Sequence, residues 1–256
     1  IYAMFKWHER INAIKQYFFD QNAKKIGCIF SPKKTKARFF LPYYKEDYIQ
    51  KQILLTQNYY EFDYLTKICS QWRNGVIQKS INNGIILDIG SNIGNHTLFF
   101  LLEKGVKKAY CFEPIKDTFS ILKKNIQING LCNNVQLYNS AVGEQNGNAS
   151  ISHYDKQNIG STSIQLNKEG DINIISIDSL NIPEKIDLIK IDVEGFEIAV
   201  IKGLLQTIQK SKPIIMIEIR DKNFAVIENL LCPLDYQNEM FAHNDDYGDY
   251  LFFPAQ

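Results

Sequence analysis

An apolar run over residues 84–87 leads into Asp88-Ile-Gly-Ser-Asn-Ile-Gly-Asn-His-Thr97. The pattern is a short strand ending near an acid, a glycine-rich turn, and a helix that resumes at Thr97. Such a unit sets backbone N–H groups and a helix N-terminus against an anionic or polar ligand. Dinucleotide sites use G-x-G-x-x-G, whose second glycine admits a pyrophosphate. Asn92 takes that second place here. A turn of the form Asp-x-Gly-x-x-x-Gly instead suits a ligand with an amino acid head and no phosphate, and S-adenosylmethionine is the expected ligand. Asp88 is read as an acceptor for the turn backbone or for a ligand ammonium. Gly90, Ser91, Asn92, Gly94, Asn95 and Thr97 form the rest of the expected contact surface.

Three further features fall at the ends of expected strands. Glu113, in Cys-Phe-Glu-Pro114, follows Asp88 by about one helix crossover, and an acid there can accept both ribose hydroxyls of an adenosine. Ser140-Ala141, after a third strand, offers small and polar groups for an adenine to approach. The segment 187–197 carries Lys190 inside an apolar strand and then Asp192, Glu194 and Glu197. A buried lysine requires a carboxylate partner. Clustered carboxylates are costly unless they bind something. They are candidates to orient an amino group, to act as a base toward an acceptor hydroxyl, or to hold a hard cation. For Glu194 and Glu197 a helix N-terminus that favours negative charge is the competing explanation. The candidate bases are Asp192, Glu194, His96, His153 and His243. A divalent cation on Asp192 and Glu194 stays an alternative that no second ligand cluster supports, so no metal site is expected.

These groups need a frame. The chain has 256 residues, 45% hydrophobic and 22% charged, which suits a packed domain with an appendage. A net charge of +1 supplies no global field for nucleic acid. No apolar run approaches the ~20 residues of a membrane span. The first residues lack the layout of a signal peptide. Cys28, Cys69, Cys111, Cys132 and Cys232 are odd in number with no C-x-x-C pair, which argues against disulfides and structural zinc. A reducing, cytoplasmic setting is therefore expected.

Residues 1–80, rich in Tyr, Phe and Lys, are expected to form a mainly helical extension, with helices over 5–20 and within 47–69 and a short strand over 37–41. That extension either caps one edge of the main domain or lends aromatic residues to an acceptor pocket. Over 81–256 strands alternate with helices, which predicts a doubly wound α/β sheet with ligand at the carboxyl ends of the strands. The expected strands are 85–89, 108–112, 135–138, 149–153, 173–177, 186–191, 214–219, 237–242 and 249–253. The expected helices start at 97 and cover 117–129, 197–210 and 224–231. Residues 155–170 are read as a polar loop.

Taken in order, Asp-Ile-Gly-Ser-Asn-Ile-Gly-Asn-His-Thr, Phe-Glu-Pro, Ser-Ala-Val-Gly, Ile-Asp-Ser-Leu, Ile-Asp-Leu-Ile-Lys-Ile-Asp-Val-Glu-Gly-Phe-Glu, Lys-Gly and Lys-Pro-Ile-Ile-Met-Ile-Glu-Ile resemble the FkbM family of S-adenosylmethionine-dependent methyltransferases. The likeness spans about 85–219. It implies a class I methyltransferase (Rossmann-like) fold: a seven-stranded, mostly parallel sheet with helices on both faces. It also implies methylation of a hydroxyl on a sugar, glycan precursor or other small metabolite. By position it puts Gly90, Asn92 and Gly94 along the methionine portion of the cofactor, Glu113 with Pro114 at the ribose, and Ser140 with Ala141 near the adenine. Asp192 falls near the methionine amino group or the acceptor. Asn158, Ser161, Ser163 and His243 are the expected acceptor contacts. The oligomeric state is left open.

Overall fold

The structure is a computed structural model that describes residues 11, 13, 27–155 and 157–255. The helix expected over 5–20 lies outside the described residues except for 11 and 13. Seven strands make the main sheet: β3 (Ile85–Ile89), β4 (Lys108–Phe112), β5 (Val135–Tyr138), β10 (Leu188–Ile191), β11 (Ile214–Arg220), β12 (Tyr236–Asn244) and β13 (Tyr247–Pro254). Their spatial order is β12-β13-β11-β10-β3-β4-β5. Only β13 runs antiparallel to its neighbours. The strand–helix rhythm anticipated an α/β sheet, and its seven, mostly parallel strands are those that the family resemblance implied.

The central strands are apolar on both faces, as sandwiched parallel strands must be. Ile86, Leu188 and Met216 point to a core shared with helices Asn95–Glu103 and Lys116–Ile128. Leu87, Ile89, Ile189 and Ile217 point to the opposite core, closed by helices Glu197–Lys202, Leu205–Ser211 and Asp221–Leu231. The chain before β3 joins the first core. Strands β1 (Ile29–Phe30) and β2 (Phe39–Phe40) pair antiparallel, and the strand expected over 37–41 shrinks to β2. Helices Tyr48–Thr56 and Phe62–Thr66 follow. Phe39, Leu41, Tyr59 and Leu65 are buried in the same cluster as Phe99 and Phe100.

Two local expectations change. The helix read over 197–210 is two helices, interrupted at residues 203–204. A Cβ on Gly203 would sit 2.0 Å from the Gly143 carbonyl oxygen, so this close approach of two backbones admits only glycine. The polar stretch 155–170 contains a strand, β8 (Ser163–Leu166), in a small sheet with β6 (Ala141–Val142), β7 (Gly147–His153) and β9 (Ile172–Ile175). This sheet is half exposed, so β8 lacks the apolar run that marks a buried strand. Among the described residues no helix is long and apolar enough to cross a membrane.

Candidate active site

Sheet register brings the site together. Ile89 lies opposite Phe112 on one side and Ile191 on the other, and Phe112 lies opposite Tyr138. The next residues in each strand, Gly90, Glu113, Asn139 and Asp192, therefore stand in one row at the carboxyl edge. Ile191 also lies opposite Ile217, which extends the row to Glu218, and Glu218 lies opposite Asp249. A cavity of about 420 Å³ opens along this row.

The glycine turn is built around its neighbours. Gly90 has φ +77°, and a Cβ there would meet the Asp192 carbonyl oxygen at 1.8 Å, so both conformation and packing demand glycine. The amides of Gly90 and Ser91 both donate to the Phe112 carbonyl, at 3.0 Å each. The Asn92 amide donates to Glu113 Oε2 (3.0 Å), and the Gly94 amide donates to the Ser91 carbonyl. Contrary to the expectation, these four amides are engaged within the protein and do not offer a nest to an anion. A pyrophosphate would find them occupied.

Asp88 also differs from its expected role. It is fully buried. Thr97 Oγ1 donates to its Oδ2, and Lys190 Nζ stands 3.5 Å from its Oδ1. Asp88 therefore pairs with Lys190 beneath the site, because the register sets residues 88 and 190 side by side on one face. Lys190 Nζ also donates to the Gly90 carbonyl (2.9 Å) and lies 3.1 Å from Asp192. Burial alone would lower its basicity, but Asp192 and Asp88 outweigh it and hold the ammonium charged well above the usual lysine range. Ser91 Oγ donates to the Asp88 carbonyl and accepts from the Phe112 amide, which leaves it inside the turn. Asn95 is bound to the backbone of Tyr60 in both directions and ties the extension to the turn.

Glu113 is 6% exposed and lines the cavity. Its two oxygens each accept one amide, from Asn92 and Ile115. A carboxylate has about four lone-pair sites, so acceptor capacity remains. Burial pushes its pKa up to about 7, against the lowering effect of those amides. Pro114, Ser140 and Ala141 continue the wall, and Ser140 accepts from Asn173 Nδ2 at 2.8 Å.

Of the expected acceptor contacts, Asn158 and Ser163 line the cavity, and Ser161 and His243 do not. Ser161 Oγ donates to the Asn158 carbonyl and closes the turn Ile159–Ser161. His243 sits on β12 against the Asp221 carboxylate, at 3.1 and 3.2 Å, away from the cavity. His153 lies on the exposed part of β7, also off the cavity wall. Glu197 is a buried helix-start residue that accepts from Gly195 N and Asn223 Nδ2.

His96, Asp192 and Glu194 all reach the cavity. His96 Nε2 lies 3.3 Å from Glu61. Glu194 is held by Arg220 at 3.0 Å. Burial and the charge of Asp192 raise the Glu194 pKa against the pull of Arg220. Burial pushes the Glu61 pKa up, but His96, Lys190 and Tyr60 together outweigh it and leave Glu61 below the usual range.

Several lining residues had gone unnoticed in the sequence. Tyr60, Glu61 and Tyr64 come from the extension, whose aromatic residues were one of the two alternatives for it, but whose helical pattern singles out none of these three. Tyr247 and Asp249 come from β13. Glu218 did carry a signal: it is an acid near the end of an apolar strand, as Asp192 is.

A family model described as the methyltransferase FkbM domain matches residues 88–240. The protein described as Methyltransferase 1 of Beauveria bassiana (strain ARSEF 2860) is 24% identical over 148 residues, covering 48% of this chain and 59% of that protein. A crystal structure of methyltransferase FkbM from Methylobacillus flagellatus KT is similar over 66% of this chain and 43% of its own, with 22% identity and a TM-score of 0.50. At that identity the likeness is one of fold. M. capricolum TrmK, solved with S-adenosyl-homocysteine, is 15% identical, with a TM-score of 0.42 over 69% of this chain and 65% of its own. The chain thus spans less than two thirds of each of these three proteins.

Proposed function

The chain belongs to the FkbM methyltransferase family, and on that premise we propose that it is an S-adenosylmethionine-dependent O-methyltransferase acting on a hydroxyl of a carbohydrate or glycan precursor. One observation carries the cofactor assignment. Glu113, buried with acceptor capacity to spare, stands beside the glycine turn at the head of a 420 Å³ cavity. A pair of vicinal hydroxyls fits that carboxylate, and Ser140 and Ala141 beyond it leave room for a flat base. The amides of the turn are already used, which disfavours a dinucleotide.

Bound S-adenosylmethionine supplies an electrophilic methyl group on a sulfonium. The protein's share is to hold an acceptor oxygen in line and to take its proton. His96 is the base in this reading. It lines the cavity, and Glu61, 3.3 Å from its Nε2, stabilises the imidazolium that forms. Asp192, tied to Lys190, and Glu194, tied to Arg220, orient ligand groups. Asn158 and Ser163 give hydrogen bonds to acceptor hydroxyls. Tyr48, Tyr60 and Tyr64 make the extension part of the acceptor wall. The acidic wall disfavours polyanionic acceptors such as nucleic acid. The unpaired cysteines accord with a cytoplasmic setting.

Calorimetry with S-adenosylhomocysteine and with NAD tests the cofactor. S-adenosylhomocysteine is expected to bind and NAD is not; the reverse would end the methyltransferase reading. A mass gain of one methyl on sugars or nucleotide sugars incubated with enzyme and cofactor then identifies the acceptor.

A further inference from the structure

Just past the end of β5 stands a buried hydroxyl whose hydrogen has no partner in the protein. Ser140, 7% exposed, lies on the cavity wall between β5 and β6. A serine hydroxyl has one hydrogen to give and two lone pairs that accept. Asn173 Nδ2, on β9, donates to Ser140 Oγ at 2.8 Å. That contact takes a lone pair and turns the hydroxyl hydrogen away from Asn173. Among the described residues no group accepts that hydrogen. Buried polar groups are hydrogen-bonded as a rule, so the hydrogen calls for an acceptor in the space that Ser140 faces, which is the cavity.

A second asparagine fixes where this donor stands. Asn139 follows Tyr138, which lies opposite Phe112, so it comes level with Glu113. Its Nδ2 donates to the Glu113 carbonyl at 2.9 Å and to the Pro114 carbonyl at 3.1 Å. The end of β5 is thereby tied to the end of β4, and Ser140 is held beside the strand that carries the Glu113 carboxylate. One asparagine sets the position of the hydroxyl and the other sets the direction of its hydrogen. Asn173 is itself exposed and belongs to the small sheet, so only its contact with Ser140 brings it to the site.

We propose that Ser140 donates to a ring nitrogen of the cofactor's adenine, and that Asn173 is the positioning residue that keeps this hydroxyl a donor. This adds a mode of base recognition to the S-adenosylmethionine reading, on which it rests. The ring nitrogens of adenine carry lone pairs and no hydrogen, so they match a donor and repel a second acceptor.

Calorimetry with S-adenosylhomocysteine reads the effect as affinity. Ser140→Ala is expected to weaken binding about three- to tenfold. Asn173→Asp replaces the donor by an acceptor, which draws the Ser140 hydrogen away from the ligand, and is expected to weaken binding by about as much. Asn173→Ala leaves the hydroxyl free to turn and is expected to lose less. Ser140→Ala combined with Asn173→Asp is expected to lose no more than Ser140→Ala alone, because both act on one hydrogen bond. The 1-deaza, 3-deaza and 7-deaza analogues of S-adenosylhomocysteine each replace one ring nitrogen by C–H. One of them is expected to bind the wild-type protein more weakly than the parent ligand, and to bind Ser140→Ala as well as it binds the wild type. Should Asn173→Asp fail to fold, Ser140→Ala with the analogues still decides whether Ser140 donates to the base. Asn173→Asp that binds like the wild type, losses that add in the double variant, or three analogues that all match the parent ligand would each overturn the proposal. In any of those cases, binding of S-adenosylhomocysteine by the wild type leaves the methyltransferase reading standing. If the wild type binds no S-adenosylhomocysteine, both fall.

Discussion

Glu113 shows how much one side chain decides. Its bonds to the backbone amides of Asn92 and Ile115 fix the carboxylate against the turn, and it lines the cavity with acceptor capacity to spare. Glu113→Ala is expected to weaken S-adenosylhomocysteine binding by about 1–3 kcal/mol, the range for losing hydrogen bonds to a charged group. Calorimetry measures this, and an unchanged affinity would remove Glu113 from the site. Its position was legible in the sequence because an acid directly after an apolar run marks a strand's carboxyl end. Asp88 carried the same mark but has a different role. The Lys190 beside it comes from a strand about a hundred residues later, and no local pattern reveals that pairing.

Among the elements, the segment around residues 157–160 and helix Tyr48–Thr56 hold each other. Asp47 is 2% exposed and caps that helix by accepting from Gln50 N at 2.9 Å. Its other oxygen accepts from Ile159 N at 3.2 Å, and Tyr48 N donates to the Gln157 carbonyl. A Cβ on Gly160 would stand 3.0 Å from Asn92 Nδ2 and 3.1 Å from Ile49, which places this segment between the cofactor turn and the extension. Asp47→Ala is expected to cost about 1–2 kcal/mol of stability, as loss of a cap does. It should also speed amide exchange at both the helix start and residues 157–160. Hydrogen exchange confined to the helix start would show that the loop is held by other contacts. The helix was legible from its apolar spacing. Its link to a loop more than a hundred residues away was not, because a capping carboxylate and a loop amide leave no shared periodicity.

For the whole molecule, the acidic row makes stability depend on pH. Burial lifts Glu113 and Glu218 from 4.5 to about 7 and about 8, and lifts Asp249 from 3.8 to about 6. Between those limits the folded protein holds protons that the unfolded chain has released. The proton-linked stability is fully present below the unfolded values and is lost as pH rises through the folded ones. The melting temperature of the ligand-free protein is therefore expected to fall by about 5 °C or more between about pH 5 and about pH 8. The slope should flatten in the Glu218→Gln, Asp249→Asn variant. Differential scanning calorimetry reads both, and a melting temperature that rises over this window would contradict the burial of these groups.

The amino-acid sequence by itself determined the alternation of strands and helices, the glycine turn and the acids at the ends of β4 and β10. Those features are set by residues within a few positions of each other, through side-chain period, turn conformation and the switch from apolar to polar. Tertiary structure alone decided which of those groups meet. Register between strands far apart in the chain lined up Glu113, Gly90, Asp192, Glu218 and Asp249. Packing of the extension on the same core brought Tyr60, Glu61 and Tyr64 to the cavity. Burial then spent Asp88 on Lys190, while Glu218 and Asp249 make no ion pair among the described residues, a difference in charge balance that residue type alone does not encode.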